Sequence, residues 1–422
     1  MSNTIEITDL ANPEYNDLQQ SILDYGKTLD VDLNRDSIMQ EARNNTGLDD
    51  FGADDFIERL DILLDQWRND PNLNQLGRGS MRGLMVKHLS TRLLAHDTWK
   101  KHPEILDIPI EKPIIVLGLP RSGTTHLLNL MAADSRFRSL PLWESYEPIP
   151  QHGEQPLEDG TDPRYKRCQD DWDNMQMVTP AVAAMHPMNP DHIHEELELM
   201  GPDIASYNYE WRAHSSNFRD HYFATDQTPH YEYMKNMLRT LMWQQKDTDM
   251  PTRWVLKCPQ HLEQIPVLLK CFPDATFAVT HRDPVAVIQS TLYINVYGQR
   301  MNRNKIDMQG NFEYWTDRIE HLLKACVRDK HLLPEAQTID VPFHEFMADD
   351  VAMVQRIYEK AGLEMTATAK AELAAFMDAH PRGKEGKVIY DLHGQFGADP
   401  AEMHERFQFY FDATPARKEV KK

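Results

Sequence analysis

IIVLGLPRSGTTHLLNLM, residues 114 to 131, joins an apolar run to a glycine turn and then to a helical pattern. Ile114, Ile115, Val116 and Leu117 are branched and uncharged, which predicts a strand buried on both faces of a parallel sheet. Gly118 and Gly123 then frame Leu119, Pro120, Arg121 and Ser122, with Thr124 and Thr125 following. Backbone N–H groups, hydroxyls and one cation are thereby offered to a common centre, as in a phosphate-binding loop. Leu127, Leu128, Leu130 and Met131 supply the apolar face of a helix whose N-terminus aims at that centre.

The loop is close to the nucleotide triphosphatase pattern GxxxxGK[ST], but Thr124 stands where the lysine belongs and the cation lies inside the loop as Arg121. GLPRSGTT after a strand resembles the 5′-phosphosulfate loop of sulfotransferases that use 3′-phosphoadenosine 5′-phosphosulfate (PAPS). Arginine replaces the loop lysine of the cytosolic branch, as it does in the protein-tyrosine branch and in many bacterial members. The resemblance implies that Pro120, Arg121, Ser122, Gly123, Thr124 and Thr125 surround the 5′-phosphosulfate.

A second stretch, TFAVTHRDPVAVIQS from Thr276 to Ser290, reads as a strand ending at His281-Arg282-Asp283-Pro284 and a helix carrying Ser290. An arginine at a strand end and a hydroxyl two helical turns on can converge on one phosphate, with guanidinium contacts supplying most of the grip. This resembles the 3′-phosphate motif of the same family, which assigns Arg282 and Ser290 to the donor's 3′-phosphate. Read without it, Arg282 serves equally as half of a surface ion pair. A third segment, HPRGKEGKVIYDLHGQFG from His380 to Gly397, is basic, glycine-rich and almost without helical pattern. It is similar to the flap with which family members close over the 3′-phosphate and adenine, so Arg382 and Lys384 are carried over to that role. A solvated charged loop explains the same residues.

Trp254 to Lys257 reads as a further strand, which places Lys257 on the edge where doubly wound sheets bind ligands. In membrane-type and bacterial relatives a lysine in a similar setting reaches the sulfuryl group or bridging oxygen, so the resemblance makes Lys257 a partner of Arg121 in stabilising the leaving group. Snorkelling at a sheet edge is its bland alternative. An acceptor hydroxyl also needs a base near the loop. Glu144, 23 residues past Arg121, falls near the catalytic glutamate of the protein-tyrosine and heparan branches. His186, 65 residues past Arg121, falls near the catalytic histidine of the cytosolic branch. Glu144 is preferred slightly, and His192 and His194 stay in reserve. His192, His194, Glu195 and Glu196 form a poor zinc signature without a third ligand at defined spacing, and they read better as lining the acceptor pocket or as a solvated loop. No metal is expected. Tyr207, Tyr209, Trp211, Tyr222 and Phe223 either wall an apolar acceptor site or pack the core.

The fold expected is α/β, a P-loop-like parallel sheet with helices on both faces, over residues 109–422, preceded by a helical N-terminal extension over 1–108. In that extension Phe56, Leu60, Leu63, Leu64 and Trp67 recur at helical spacing, as do Leu84, Met85, Leu89 and Leu93. It covers the core domain, contributes to the substrate cavity or mediates a homodimer. Residues 149 to 192 carry little periodicity and read as a long surface excursion or lid.

A formal net charge of −21 over 422 residues argues against nucleic acid or an anionic membrane as the main partner, so an anionic donor requires a locally basic pocket. Four cysteines without paired spacing fit free thiols in a reducing compartment. MSNTIEITDL is not a secretion signal, and no stretch approaches the ~20 apolar residues of a spanning helix. A soluble, cytoplasmic enzyme transferring a sulfuryl group from PAPS to the hydroxyl of a small molecule is the expectation. An ATP- and magnesium-dependent kinase with the same loop, and a non-catalytic nucleotide-binding assembly protein, are the alternatives.

Overall fold

The computed structural model describes residues 4–213 and 215–420. Six short strands occur in it: β1 (Thr4–Glu6), β2 (Ile114–Leu117), β3 (Val255–Lys257), β4 (Thr276–His281), β5 (Thr338–Pro342) and β6 (Lys387–Ile389). Four of them form the central sheet in the order β3-β2-β4-β5, all parallel. Ile114 pairs with Val255 on one side and with Thr276 on the other, so β2 is interior. That position explains its uninterrupted apolar sequence, since all four of its residues are buried.

Alternation along the strands sorts side chains onto two cores. Ile114, Val116, Val255, Ala278 and Val341 face a cluster with Leu127, Leu128, Met131, Val354 and Ile357. Ile115, Leu117, Leu256, Phe277 and Val279 face the other, larger cluster with Met234, Leu238, Ile288, Leu292, Ile319 and Leu322. The first cluster is closed by helices Thr124–Ala132 and Asp350–Lys360, the second by Thr228–Gln244, Pro284–Gln299 and Met308–Asp329. The expected two-faced parallel sheet is therefore present.

Topology also fixes where ligands can sit. The chain leaving β2 returns as β3 on one side, and the chain leaving β4 returns as β5 on the other. Neighbouring strands whose connections part in opposite directions leave a crevice at their carboxyl ends, here between β2 and β4. The crevice is bridged at its floor by Ser122 Oγ and Thr280 Oγ1, 2.9 Å apart.

The N-terminal segment is helical from Asp17 onward, and its first described element, β1, pairs in parallel with β6. Helices Arg35–Thr46 and Phe56–Asn69 and the 27-residue helix Gln75–Lys101 bury Ile38, Phe56, Leu60, Leu64, Trp67, Met85 and Leu89 together. The long helix starts at Asn74, whose side chain accepts from the Gly77 N–H at 2.8 Å. Its later turns place Leu94, Ala95 and Trp99 in the same cluster as the sheet, so the extension is packed onto the α/β core.

Two segments without a clear helical period in the sequence carry regular structure. Residues 149 to 192 contain helices Pro163–Val178 and Val182–Met185. The first buries only Arg164 and Cys168, too little apolar surface to print a helical period on the sequence. The segment from His380 to Gly397 contains β6 and helix Leu392–Phe396, held by β1. No helix among the described residues is long and apolar enough to cross a membrane.

Candidate active site

The glycine loop is shaped by two backbone constraints. Gly118 lies against β4 so closely that a Cβ there would come within 1.8 Å of Thr280 Oγ1. Arg121 and Gly123 both have positive φ, 63° and 85°, and the arginine's left-handed conformation is strain retained at the turn. Ser122 spends its hydroxyl inside the protein, donating to the Leu119 carbonyl at 2.6 Å and meeting Thr280. It secures the loop shape. Helix Thr124–Ala132 begins at Gly123 with no side chain capping it, so its first N–H groups are open to an anion in the crevice.

The structure brings Arg121, Ser290 and Arg282 together at the strand ends. Arg121 Nε donates to Ser290 Oγ at 2.9 Å, and Arg282 Nη1 donates to the Arg121 carbonyl at 2.7 Å. Arg282 also lies over the Phe343 ring, 3.9 Å from its centroid. Ser290 Oγ in turn donates to the hydroxyl of Tyr390, at 3.0 Å. Tyr390 comes from the predicted flap, between its basic residues and its last glycines. Within that flap the structure places Arg382 on Asp350 and on the Met347 carbonyl, while Lys384 is exposed. Arg382 thus lines a cavity of about 440 Å³ with His126, Asp350 and His380, beyond the helix that follows the loop.

Lys257 shares a face of the sheet with Val255, which directs it toward helix Thr124–Ala132. Its ammonium donates to Thr125 Oγ1 at 3.3 Å and is ion-paired with Glu195. Beside them the fully buried Glu196 accepts from the Lys257 N–H at 2.9 Å and bonds His261 Nε2 at 2.6 Å. Burial raises the Glu196 pKa, but the hydrogen bond and charge of His261 outweigh it and hold the carboxyl below its ordinary range. The HxHEE cluster therefore splits: Glu196 supports the strand end, and Glu195 joins the loop. Glu195 could be found in the sequence only as a member of that cluster, without a role.

The two predicted bases are placed differently. Both oxygens of Glu144 are engaged away from the loop, one by Arg138 Nη2 and one by Gln245 Nε2 at 3.1 Å, and Arg138 stacks on Trp254. His186 sits in a ring cluster with His192 and His194, at centroid distances of 5.9 and 5.7 Å. Desolvation pushes the His186 pKa well below 6.5, and His194, His192, Arg121 and Lys257 push in the same direction. Its imidazole is therefore neutral, within the field of Arg121 and Lys257. Among the predicted aromatics, Tyr207 and Tyr209 are core residues and Trp211 packs on Trp315, ring centroids 4.4 Å apart. Three potential metal ligands converge only at Asp55, Asp203 and His230 among the described residues, where Arg59 and Arg92 already pair with Asp203.

Set beside known proteins, the chain matches the sequence profile of the sulfotransferase family over residues 113–367. Its structure is similar to that of the sulfotransferase STF1 from Mycobacterium tuberculosis H37Rv, at 27% identity and a TM-score of 0.76, covering 89% of this chain and 98% of that one. It is also similar to STF9 from Mycobacterium avium, at 25% identity and a TM-score of 0.80, covering 93% and 100%. Among proteins with curated functions, none matches.

Proposed function

The chain belongs to the sulfotransferase family and transfers a sulfuryl group to an acceptor, and on that premise we propose that its donor is PAPS, bound across the carboxyl ends of β2 and β4. The kinase and assembly-protein readings give way to the family. The observation that carries the donor reading is the convergence of Arg121, Arg282 and Ser290 on one crevice beside uncapped helix N–H groups. Two cations and several donors, spread over two strand ends, suit an anion with two separated phosphate centres. Arg121 and the N–H groups of Thr124 and Thr125 hold the 5′-phosphosulfate, while Arg282 and Ser290, with Tyr390 behind it, hold the 3′-phosphate.

In the transfer an acceptor oxygen forms its bond to sulfur as the sulfur–oxygen bond to the 5′-phosphate breaks. Negative charge collects on the departing phosphate oxygen, where fixed cations contribute most of the stabilisation, by analogy with phosphoryl transfer. Lys257 and Arg121 are the cations for that oxygen. The acceptor proton goes to Glu195, the carboxylate in contact with Lys257 beside Thr125. His186 is the second candidate, favoured by its neutral ring near Arg121 and Lys257. A small hydroxyl-bearing molecule is the acceptor. Four buried cysteines with free thiols support a cytoplasmic setting.

Calorimetric titration with 3′-phosphoadenosine 5′-phosphate beside ATP with magnesium tests the donor. Preference for the 3′-phosphorylated nucleotide, lost in Arg282→Ala, is expected; indifference to Arg282 would overturn the assignment. For the base, Glu195→Gln should lower kcat by about 10²–10⁴-fold. A comparable loss in His186→Asn with Glu195→Gln active would move the role to His186.

A further inference from the structure

On the acceptor side of Lys257 the lining is not apolar. His194 immediately precedes Glu195, the partner of Lys257, and its ring meets the Tyr146 ring at 6.3 Å, edge on. Lys87, from the long N-terminal helix Gln75–Lys101, places its ammonium over the face of Tyr146, 4.5 Å from the centroid. Arg212, at the end of helix Asn208–Arg212, lies beside the Tyr146 hydroxyl. A row of groups thus runs from the phosphate loop to two cations contributed by separate parts of the chain.

Neither cation is neutralised in the usual way. Among the described residues no carboxylate comes within salt-bridge reach of Lys87 or Arg212, and the buried Arg212 Nε has no hydrogen-bond partner. The nearby acids are committed elsewhere or stand farther off. Glu198 accepts from Asn208 Nδ2 at 2.8 Å and faces His194 Nε2 at 3.6 Å. Glu147 is paired with Arg167 at 2.6 Å, and Asp171 acts on Lys87 only at longer range. Burial pulls the Lys87 pKa below its ordinary value, with Glu147, Glu198 and Asp171 opposing that shift. An ammonium set over an aromatic face without a carboxylate partner, beside a buried guanidinium N–H without an acceptor, is costly to keep in a folded protein. Both side chains nevertheless keep part of their surface open. An anion entering there would satisfy both at once.

We infer that the acceptor is an acid, a hydroxylated carboxylate or phosphate or sulfate ester, whose anionic group is received by Lys87 and Arg212 while its hydroxyl lies at Lys257 and Glu195. The inference rests on the reading of the β2 loop and Lys257 as the transfer centre. It also gives the N-terminal extension a part in choosing the substrate, since Lys87 comes from it. Tyr146, holding Lys87 by its face and Arg212 near its hydroxyl, is the positioning residue between them.

Sulfuryl transfer to a matched panel tests it: hydroxylated carboxylates and phosphate monoesters against their neutral amides and esters, with binding of each to the enzyme saturated with 3′-phosphoadenosine 5′-phosphate read by calorimetry. Anionic members are expected to exceed their neutral partners in kcat/KM or affinity by about tenfold or more, the scale of one charge-assisted contact. Lys87→Met and Arg212→Gln should each lose that advantage through KM, and Lys87→Arg should restore part of it. Carboxylates alone, or phosphate esters alone, showing the advantage would identify the acid. Neutral members preferred, an advantage that survives in both variants, or no anionic member binding or reacting would overturn the inference. Titration of the same variants with 3′-phosphoadenosine 5′-phosphate separates the two failures: lost nucleotide binding in the parent enzyme sinks the donor reading, whereas retained binding without acid preference sinks only this one.

Discussion

Glu419 lays its carboxylate on the guanidinium of Arg282, with Arg282 Nε and Nη2 donating at 3.2 and 3.0 Å. The contact is held in place by the backbone, because the N–H groups of Glu419 and Val420 both donate to Asp283 Oδ2, at 2.6 and 3.1 Å. Asp283 also caps helix Pro284–Gln299 through the Val285 N–H at 2.9 Å. A carboxylate therefore occupies the arginine assigned to the donor's 3′-phosphate. On the proposed donor reading, nucleotide binding displaces it. A partly exposed ion pair is worth about 0.2–1 kcal/mol, so Glu419→Gln should tighten 3′-phosphoadenosine 5′-phosphate by about two- to fivefold in calorimetric titration. Weaker binding in the variant would mean that Glu419 helps to hold Arg282 in position.

Arg121 has the opposite profile. Its side chain makes one hydrogen bond within the protein, to Ser290, and keeps part of its surface open. Little of the fold depends on it, and in the proposed donor site its charge serves the oxygen that gains charge during transfer. Arg121→Ala should cut kcat by about 10²–10³-fold or more while leaving the thermal midpoint close to that of the parent. A variant with near-full turnover would remove Arg121 from the reacting centre.

The residues of the crevice were legible because strand ends announce themselves. Ile114 to Leu117 are apolar without a break since both faces are covered, and the loop had to follow. Arg282 and Ser290 lie on a strand and the helix directly after it, so their separation in space follows from helix geometry. Glu195 was hidden because its partner, Lys257, is 62 residues away and no local period links them. Lys87 was hidden for another reason: a lysine among apolar residues on a long helix has the pattern of an ordinary solvated position, and only the placement of Tyr146 beside it says otherwise. Tyr390 and Arg382 share one segment, yet β6 lies between them, and the chain carries them to different neighbours.

Gly118 is a packing glycine, and its substitution should act on stability. An alanine Cβ would meet Thr280 Oγ1 at 1.8 Å and Thr124 Cγ2 at 2.7 Å, both on elements that form the floor of the crevice. Overpacking of this kind costs about 1–3 kcal/mol. Gly118→Ala should therefore lower the midpoint of urea unfolding, and Gly118→Ala combined with Thr280→Ala should recover part of the loss. No recovery in the double variant would place the conflict elsewhere.

Histidine 88 makes the protein acid-sensitive above the range where carboxylates titrate. His88 is buried, its Nδ1 is 2.7 Å from the Tyr209 hydroxyl, and desolvation lowers its pKa from 6.5 to about 3. The unfolded chain then binds a proton as pH falls through 6.5 while the folded chain does not, so the unfolded state is favoured progressively down to about pH 3. The contribution is intact above 6.5 and declines by about 1.4 kcal/mol for each pH unit below it. His192, lowered to about 3, and His96, lowered to about 4, each primarily by desolvation, act with the same sign. Urea unfolding between pH 7.5 and 5.0 should show stability falling steeply with acid, and His88→Gln should flatten that slope by about one histidine's share. An unchanged slope in the variant would mean that His88 takes up its proton without unfolding.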